Sequence, residues 1–388
     1  MSLSGTDSPK VVVACATFKG TLSSKAAGDA LARGLQASGV SSRVVALADG
    51  GEGLVDALAT QVPGALKVGA PCRGPKLAPR TATLAILPSA DGKSATAVLE
   101  MAASSGLGLV PEAERDPKIA TSLGVGDQIL AALEHRSEGL SILLGLGGSA
   151  TNDGGAGMAE ALGAKFLDAS GKPLPPGGAA LRNLARIDVS QLDKRLRNVP
   201  VTVACDVRNP LCGPDGASHV FGKQKGGTPD DLKILDEALA HYAQIIRRDL
   251  GKDVANIPGA GAAGGLGAGC LAFLNATLKP GIDLVLDTLN FNQTLSGAKL
   301  VITGEGCLDD QTLMGKAPAG VAERAAGRGV RCIAIGGCID HAHETALRKT
   351  FASIESLSEF AGSPEASMRE TARWLENLAK ARVSEWLK

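Results

Sequence analysis

The stretch Lys10–Cys15 (KVVVAC), followed by Ala16–Gly20 (ATFKG), decides the fold of this chain. A continuous apolar run of this kind is typical of a strand buried on both faces of a parallel sheet. Ser23 is a suitable N-cap for the next segment, which has apolar residues at helical spacing and a stop signal at Gly39. Arg43–Ala48 (RVVALA) then predicts a second strand. Strand, helix and strand in this order predict a βαβ unit, and therefore an α/β fold with a parallel sheet.

Similar apolar runs continue along the chain and predict further strands, most of them separated by helices. These runs are Thr83–Ile86, Ala95–Leu99, Leu140–Leu144, Val199–Cys205, Leu300–Thr303 and Cys332–Ile335. Between about Val68 and Leu99, β-like runs follow one another directly, so a second domain is expected to begin there. Leu271–Leu278 and Glu365–Leu387 each predict one helix.

The composition favours a protein that acts on small molecules. A length of 388 residues suits about two domains. Forty basic and forty acidic residues cancel, which gives no overall field for nucleic acid or an anionic membrane. The eight cysteines form no CxxC pair and do not resemble a disulfide framework, so we expect free thiols in a reducing cytoplasm. The polar N-terminal stretch MSLSGTDSPK lacks the apolar run expected of a signal peptide, and no apolar run approaches the length of a membrane span.

Ligands of open parallel sheets bind beyond the carboxyl ends of the strands, and polar motifs of this chain follow predicted strands. In ATFKG, Lys19 can hold a phosphate or carboxylate as a point charge, or it is a solvated loop lysine. In Ala48–Gly53 (ADGGEG), Asp49 and Glu52 suit Mg²⁺ or an acceptor hydroxyl group. The alternative for this second motif is an ordinary Asp-Gly turn.

Gly145–Gly157 (GLGGSATNDGGAG) is the most informative polar motif. Apart from one leucine it contains only small and polar residues, and it leads into a predicted helix. Free backbone N–H groups and small hydroxyl groups at such a position favour an anion site, with Gly147, Gly148 and Ser149 as candidates. A buried loop without a ligand is the alternative, but it would leave backbone groups unpaired.

Two later motifs place acids and bases beyond strands. In CDVRNPLCGPDG, Asp206 follows a strand and Arg208 lies beside it, with further lysines downstream. An acid in this setting can orient a hydroxyl group, although a surface ion pair has the same pattern. In TGEGCLDDQTLMGKAP, Glu305, Asp309 and Lys316 suggest a metal site or a base. Helix capping is the alternative for this motif.

Gly259–Gly264 (GAGAAG) matches the dinucleotide fingerprint but does not follow an apolar strand, so an NAD site is not expected. The longer run GAGAAGGLGAG leads into a helix and can receive nucleotide phosphates. Tight packing of this helix is the alternative interpretation.

Taken together and in order, these motifs resemble the bacterial glycerate 2-kinase family. The resemblance runs from Phe18 to about Pro318 and is carried by FKGTLSS, LADGGEG, EMAASSGLGLVP, GLGGSATNDGGAGM, VACDVRNPLCGP, FGKQKGGTP, GAAGGLGAG and LVITGEGCLDDQT. It implies a Rossmann-like α/β domain, residues 1–64 and 285–388, with a second α/β domain, 65–284, inserted and a cleft between them. It also implies transfer of the γ-phosphoryl group of ATP to D-glycerate, giving 2-phosphoglycerate, with Mg²⁺ as cofactor. A homodimer is compatible with this reading, and no nucleic acid or membrane partner is expected.

We combine the resemblance with the chemistry of the residues to assign roles as hypotheses. The catalytic candidates are Asp206, Lys19 and Asp49. The cofactor-binding candidates are Gly147, Gly148, Ser149, Gly264, Gly265, Gly267 and Lys316. The substrate-binding candidates are Glu52, Asp153 and Arg208, and the metal candidates are Glu305 and Asp309.

The chain departs from the family pattern at two positions. The family commonly has Asp-Ser before Phe-Lys, where this chain has Ala16 and Thr17, and Arg after GEG, where this chain has Cys307. An acid and a base of the family pattern are therefore missing. A non-catalytic protein that senses a hydroxy acid, or a kinase of a related small hydroxy acid, remains an alternative.

Overall fold

The computed structural model of the chain describes residues 10–48, 50–51, 53–136 and 138–388. Asp49 and Glu52 lie outside the described residues, so their predicted roles stay predictions. The chain divides into two compact units, Met1–Asp49 with Ile282–Lys388 and Gly50–Gly281. We name them the terminal unit and the inserted unit. The domain boundaries expected from the sequence, 1–64 with 285–388 for one domain and 65–284 for the other, stay a prediction.

Strands and helices alternate along most of the chain. The strands are β1 Val11–Cys15, β2 Ser42–Ala46, β3 Leu66–Arg73, β4 Pro79–Pro88, β5 Ala95–Glu100, β6 Leu140–Gly145, β7 Lys165–Leu167, β8 Arg186–Asp188, β9 Val201–Ala204, β10 Thr277–Lys279, β11 Leu300–Leu308, β12 Arg331–Ile339 and β13 Ser353–Ser356. The helices are α1 Ser24–Ala37, α2 Leu54–Ala59, α3 Met101–Ser105, α4 Leu123–His135, α5 Ala156–Ala161, α6 Ala217–Phe221, α7 Pro229–Leu250, α8 Ala262–Leu274, α9 Gly281–Thr288, α10 Phe291–Thr294, α11 Asp310–Leu313, α12 Ala317–Ala326, α13 Glu344–Thr350, α14 Leu357–Ala361, α15 Pro364–Arg369 and α16 Thr371–Trp386.

The terminal unit is built on a parallel sheet with strand order β13-β12-β11-β1-β2. Strand β1 lies inside this sheet and is fully buried, as its apolar sequence predicts. Helix α1 begins at the predicted cap, because the Ser23 hydroxyl accepts the Ala26 N–H at 3.3 Å. The chain leaves the helix through Gly39 at φ +74°. The predicted βαβ unit is therefore confirmed.

The inserted unit contains a mixed sheet with strand order β10-β9-β6-β5-β4-β3. Strands β3, β4 and β5 are antiparallel neighbours, which explains why their apolar runs follow one another closely in the sequence. Strands β5, β6, β9 and β10 are parallel. Their carboxyl ends therefore lie at the same edge of the sheet. The predicted α/β class is confirmed in both units.

Two predicted helices are wrong in their bounds. Glu365–Leu387 forms two helices, α15 and α16, because the backbone of Glu370 leaves the helical conformation, with φ −131° and ψ 42°. The predicted helix Leu271–Leu278 is the end of α8, which stops at Asn275 in the left-handed conformation and is followed by β10. Within the described residues, no helix has the length and apolar character that a membrane span requires.

Candidate active site

Three predicted motifs of the inserted unit meet at the carboxyl ends of β6 and β9. A Cβ atom at Gly147 would lie 2.6 Å from the Gly51 Cα atom, so the backbone of Gly51 packs directly on the glycine-rich loop after β6. Gly50 has φ +83°, and a Cβ atom there would lie 2.5 Å from the Ala204 Cβ atom at the end of β9. Glycine is required at these positions because the backbones approach so closely.

The loop after β6, residues 146–155, is held by the segment that follows β5. The Leu107 N–H donates to the Gly148 carbonyl at 2.7 Å, and the Ala150 N–H donates to the Ser105 carbonyl at 2.9 Å. Gly148 has φ +75°, and Ser149 is 8% exposed. The loop is therefore fixed by backbone bonds on one side. Phosphate binding by Gly147, Gly148 and Ser149 stays a prediction.

Asp153 anchors this loop from inside the protein. Its carboxylate is 1% exposed and accepts the Ser122 N–H at 2.8 Å and the Ser122 hydroxyl at 2.9 Å. Thr121 Oγ1 and the Gly155 N–H donate to the same carboxylate at 3.3 and 3.2 Å. Burial raises the pKa of Asp153, and these hydrogen bonds oppose the rise. The burial favours a positioning role, and substrate binding by Asp153 stays a prediction that this geometry does not support.

The glycine run before and within α8 packs against the same loop. The Gly154 N–H donates to the Gly264 carbonyl at 3.0 Å. A Cβ atom at Gly265 would lie 2.8 Å from the Gly154 Cα atom, and one at Gly267 would meet the Gly259 carbonyl. Gly264 and Gly265 have φ +69° and +89°, which interrupts the helix. Close packing accounts for these glycines, and their predicted contact with nucleotide phosphates stays a prediction.

Asp206 follows β9 and has an exposed carboxylate. Its Oδ1 atom accepts the Gly281 N–H at 2.7 Å, which fixes the direction of the carboxylate. Arg208 is also exposed, two residues further along the chain. An anchored acid at the carboxyl end of a parallel strand is placed where ligands of such sheets bind. The geometry is therefore compatible with the predicted roles of both residues.

Glu100, at the end of β5, is a candidate that sequence reasoning missed. Its side chain is 9% exposed, and Oε1 accepts the Val55 N–H at the start of α2 at 2.7 Å. It is the register partner of Gly145, where the glycine-rich loop begins. The signal that would have found it is an acid directly after an apolar strand, in the EMAASSG motif.

In the terminal unit, four predicted residues line one pocket of about 420 Å³, namely Lys19, Glu305, Asp309 and Lys316. Lys19 is exposed and lies in the turn between the buried Phe18 and Leu22. A Cβ atom at Gly306 would lie 3.2 Å from the Lys19 backbone nitrogen, so the ends of β1 and β11 are in close contact. The structure thus brings together side chains that are nearly 300 residues apart in the sequence.

The carboxylates of this pocket are held by Thr312. The Thr312 hydroxyl donates to Glu305 Oε1 at 2.7 Å, and the Thr312 N–H donates to Asp309 Oδ1 at 3.1 Å. Asp309 is therefore the N-cap of α11, which confirms the capping alternative without excluding a second role. Lys19 and Lys316 form no ion pair with any carboxylate that the structure describes.

The donor set of this pocket suits Mg²⁺ bound together with a nucleotide. No group of three or more potential metal ligands occurs among the described residues. Mg²⁺ in phosphate-transferring proteins is typically held by one or two carboxylates, by water and by substrate phosphates. Glu305 and Asp309 fit this pattern, and metal binding by them stays a prediction.

The expectation of eight free thiols is wrong in this structure. Cys307 and Cys338 form a disulfide bond across β11 and β12, with their Cα atoms 4.6 Å apart. The two residues are direct register partners in the parallel pair. The sequence does not reveal this register, because the residues are separated by 31 positions. The disulfide lines the same pocket as Lys19.

Comparison with known families gives a match to the glycerate kinase family over residues 11–387. The chain belongs to the glycerate kinase family. It is 43% identical over 382 residues to the glycerate kinase of Halalkalibacterium halodurans, covering 97% of this chain and 99% of the relative. It is 44% identical to the glycerate kinase of Bacillus subtilis, covering 96% of each chain. Against the glycerate 2-kinase of Escherichia coli the identity is 47%, over 81% of this chain and 82% of the relative.

The fold is similar to that of a solved family member. A crystal structure described as glycerate kinase 2 from Salmonella typhimurium LT2 superposes with a TM-score of 0.84 at 39% identity. The superposition covers 97% of this chain and 98% of the other. The expected family, fold class and enzyme class, a kinase, are confirmed.

Proposed function

We propose that this protein transfers the γ-phosphoryl group of ATP to a hydroxyl group of D-glycerate and forms 2-phosphoglycerate. The names of the Bacillus subtilis and Escherichia coli relatives support glycerate as the substrate, and the second name supports the 2-position. The structural observation that carries the proposal is the exposed carboxylate of Asp206, anchored by the Gly281 N–H at the carboxyl end of β9.

Asp206 has the properties of a residue that orients and deprotonates an acceptor hydroxyl group. Phosphoryl transfer requires mainly that the reacting oxygen atoms are aligned and that the charge of the phosphoryl group is balanced. A carboxylate with one oxygen atom fixed by a backbone N–H has a defined direction, which serves alignment. It accepts the proton that the hydroxyl group loses during transfer.

Positive side chains balance the charge of the transferred group. Lys19 and Lys316 line the terminal-unit pocket without an ion-pair partner among the described carboxylates, so their charge is available to phosphate oxygens. Arg208 pairs with the carboxylate of the hydroxy acid in this proposal, because its exposed guanidinium group can bind a carboxylate through two N–H groups. Backbone N–H groups near Ser149 complete the contacts with phosphate.

Glu305 and Asp309 are the residues that would hold Mg²⁺. When bound, this ion supplies positive charge to the nucleotide phosphates. Thr312 keeps both carboxylates in place before the ion arrives, through its hydroxyl group and its N–H. We further propose that the protein works in the cytoplasm, where ATP is present. The expectation of a homodimer stays a prediction.

ADP formation by the purified protein tests this proposal. Reactions with ATP and Mg²⁺ contain D-glycerate, L-glycerate, a related small hydroxy acid or no acceptor, and a matched set contains EDTA. We expect ADP formation that depends on D-glycerate and on Mg²⁺. Faster turnover of another hydroxy acid would identify that acid as the preferred substrate. Binding of D-glycerate measured by calorimetry, without ADP formation, would favour a hydroxy-acid-binding protein.

A further inference from the structure

A pocket of the inserted unit lies beside the glycine-rich loop. It is lined by Ala150, by Arg115 from the segment before α4 and by Lys225 from the turn before α7. The open space is about 10 Å³, which is room for about one water molecule or one oxygen atom of a ligand. The pocket is thus a narrow opening that ends at two cationic side chains.

Lys225 is a buried cation with incomplete hydrogen bonding. The residue is 1% exposed, and its Nζ atom donates to the Thr151 carbonyl at 2.7 Å. An ammonium group has three donors, and this is the one hydrogen bond that Nζ makes to the described residues. Leaving donors of a buried charge unsatisfied costs free energy, so such a group is expected to have a ligand.

Asp153 does not act as that ligand. Its charge acts on Lys225 across the interior, but its oxygen atoms accept hydrogen bonds from Thr121, Ser122, Gly155 and Gly157. No hydrogen bond joins Asp153 to Lys225 among the described residues. Burial lowers the pKa of Lys225 to about 7, and the charge of Asp153 opposes this lowering. The ammonium group is therefore only partly compensated.

Arg115 is the second cation of the pocket and has no carboxylate partner among the described residues. Its guanidinium group makes two long contacts of 3.4 Å, from Nε to the Val110 carbonyl and from Nη1 to the Gln224 carbonyl. Gly226, at φ +90°, lets the Lys225 segment pack on Arg115, since a Cβ atom there would lie 2.9 Å from the Arg115 Cβ atom. The fold thus brings both cations to one opening.

The other charged groups that face the pocket are engaged elsewhere. Glu114 accepts a hydrogen bond from Lys76 Nζ at 2.8 Å. Asp116 accepts the Lys118 N–H at 2.9 Å, and its second oxygen lies 4.0 Å from Lys118 Nζ. With Lys76 and Glu114 paired to each other, the two cations Arg115 and Lys225 outnumber Asp116, the one remaining acid of the described lining.

We propose that Lys225 and Arg115 form a subsite for one oxyanion group of the substrates, a carboxylate or a phosphate. This subsite lies beside Ala150, one residue from the Ser149 backbone proposed to contact phosphate. The inference rests on the proposed function, because it assigns part of the same substrates. The carboxylate of the hydroxy acid and a phosphate of ATP have the same oxyanion chemistry, and kinetics distinguishes them.

Steady-state kinetics of Lys225→Met, which removes the charge and keeps the volume, tests the subsite. We expect the KM of one substrate to rise by about 10- to 100-fold, the range for hydrogen bonds to charged groups. A rise for D-glycerate identifies a carboxylate, and a rise for ATP identifies a phosphate. Lys223→Met, an exposed lysine in the same turn, is the matched control and is expected to keep both KM values.

A pH series separates the subsite from a merely structural role. Because Lys225 loses its proton near neutral pH in the empty protein, the affected KM of the wild type is expected to rise between pH 6 and 8.5. The Lys225→Arg variant keeps its positive charge over this pH range, so its KM is expected not to rise with pH. Its affinity for the affected substrate is expected to be higher than that of Lys225→Met. Arg115→Gln, at a half-buried site, provides the same KM test should Lys225→Met not fold.

Unchanged KM values for both substrates in a folded Lys225→Met or Arg115→Gln variant would overturn the proposal. If Lys225→Met lowered kcat alone and its KM values had the same pH dependence as those of the wild type, the proposal would also be overturned. Lys225 would then support the loop without binding the substrate. An inactive wild-type protein would instead refute the proposed function, so the two failures are distinguishable.

Discussion

Lys19 of the terminal-unit pocket and two charged residues at the glycine-rich loop of the inserted unit, Asp153 within it and Lys225 bonded to it, lie in opposite environments. Lys19 is exposed, whereas Asp153 and Lys225 are each 1% exposed. Both regions have the same signal in the sequence, polar residues and glycines after a strand. The comparison shows that such a motif marks two physical tasks. Exposed Lys19 is free to act on a ligand, whereas buried Asp153 holds the loop that presents its backbone.

The two environments also differ in how they tune charge. Burial shifts the pKa of Asp153 upwards and that of Lys225 downwards, because a low-dielectric interior disfavours both charged forms. Variants at exposed positions should therefore change catalysis without changing stability. Variants at buried positions should change the pH dependence of stability.

The largest expected effect is on turnover. Asp206→Asn keeps the size of an exposed side chain but removes the group proposed to accept the hydroxyl proton, so kcat is expected to fall by about 10²–10⁴-fold. Steady-state ADP formation and the Tm are measured together. Asp215→Asn, an exposed acid of the same loop, is the matched control and is expected to retain activity. Turnover of Asp206→Asn near that of wild type would contradict the role of Asp206.

The next effect concerns stability and the buried lysine. The folded-state pKa of Lys225, about 7, lies below the ordinary value of 10.5, so the unfolded chain binds more protons between these pH values. Stability should therefore rise with pH through this window, by at most about 1.4 kcal/mol per pH unit from this group. Urea unfolding at pH 7 and pH 9 measures it. The increase should be smaller by about 2 kcal/mol in Lys225→Met, and an identical increase in both proteins would show that Lys225 is not ionised differently on folding.

A smaller effect is expected in the terminal-unit pocket. Lys19→Met removes an exposed charge that is partly screened by solvent, so kcat/KM for ATP should fall by about tenfold while the Tm stays unchanged. Lys25→Met is the control, because Lys25 is exposed and pairs with Asp29 on α1, at 2.6 Å. Equal kinetics for the two variants would mean that Lys19 is a solvated lysine.

The smallest expected effect concerns the disulfide of the same pocket, and it is measured by counting the thiols of the whole chain. Protein purified without reductant and then unfolded should react with Ellman's reagent at six cysteines per chain, since Cys307 and Cys338 are joined. After reduction all eight should react. Eight reactive thiols before reduction would restore the expectation of free cysteines in this pocket.

Apolar runs and capping residues predicted those strands and helices of the fold whose formation depends on neighbouring residues in the sequence. The apolar run of β1 and the Ser23 cap of α1 were sufficient to predict a βαβ unit. The break between α15 and α16 was not predictable, because no glycine or proline marks Glu370, where the backbone leaves the helical conformation. Strand β10 was missed because three residues do not form a recognisable pattern.

The site was predictable as a set of strand-end motifs but not as an arrangement. Sequence position alone indicated Asp206 and Lys19. Arg115 and Lys225 line the same pocket because two segments 110 residues apart pack together. The periodicity of the sequence does not predict such packing. Burial separated the loop-holding role of Asp153 from the exposed role of Asp206, and a sequence does not give burial of a polar residue.

The most direct test of the central claim is ³¹P NMR of the product formed from ATP, Mg²⁺ and D-glycerate. We expect a new phosphomonoester signal split into a doublet by the single proton on C2, which is the signature of 2-phosphoglycerate. A triplet, from phosphate on the C3 methylene group, would contradict the proposed position of transfer. The absence of any new phosphomonoester while D-glycerate binds would contradict the kinase reaction itself.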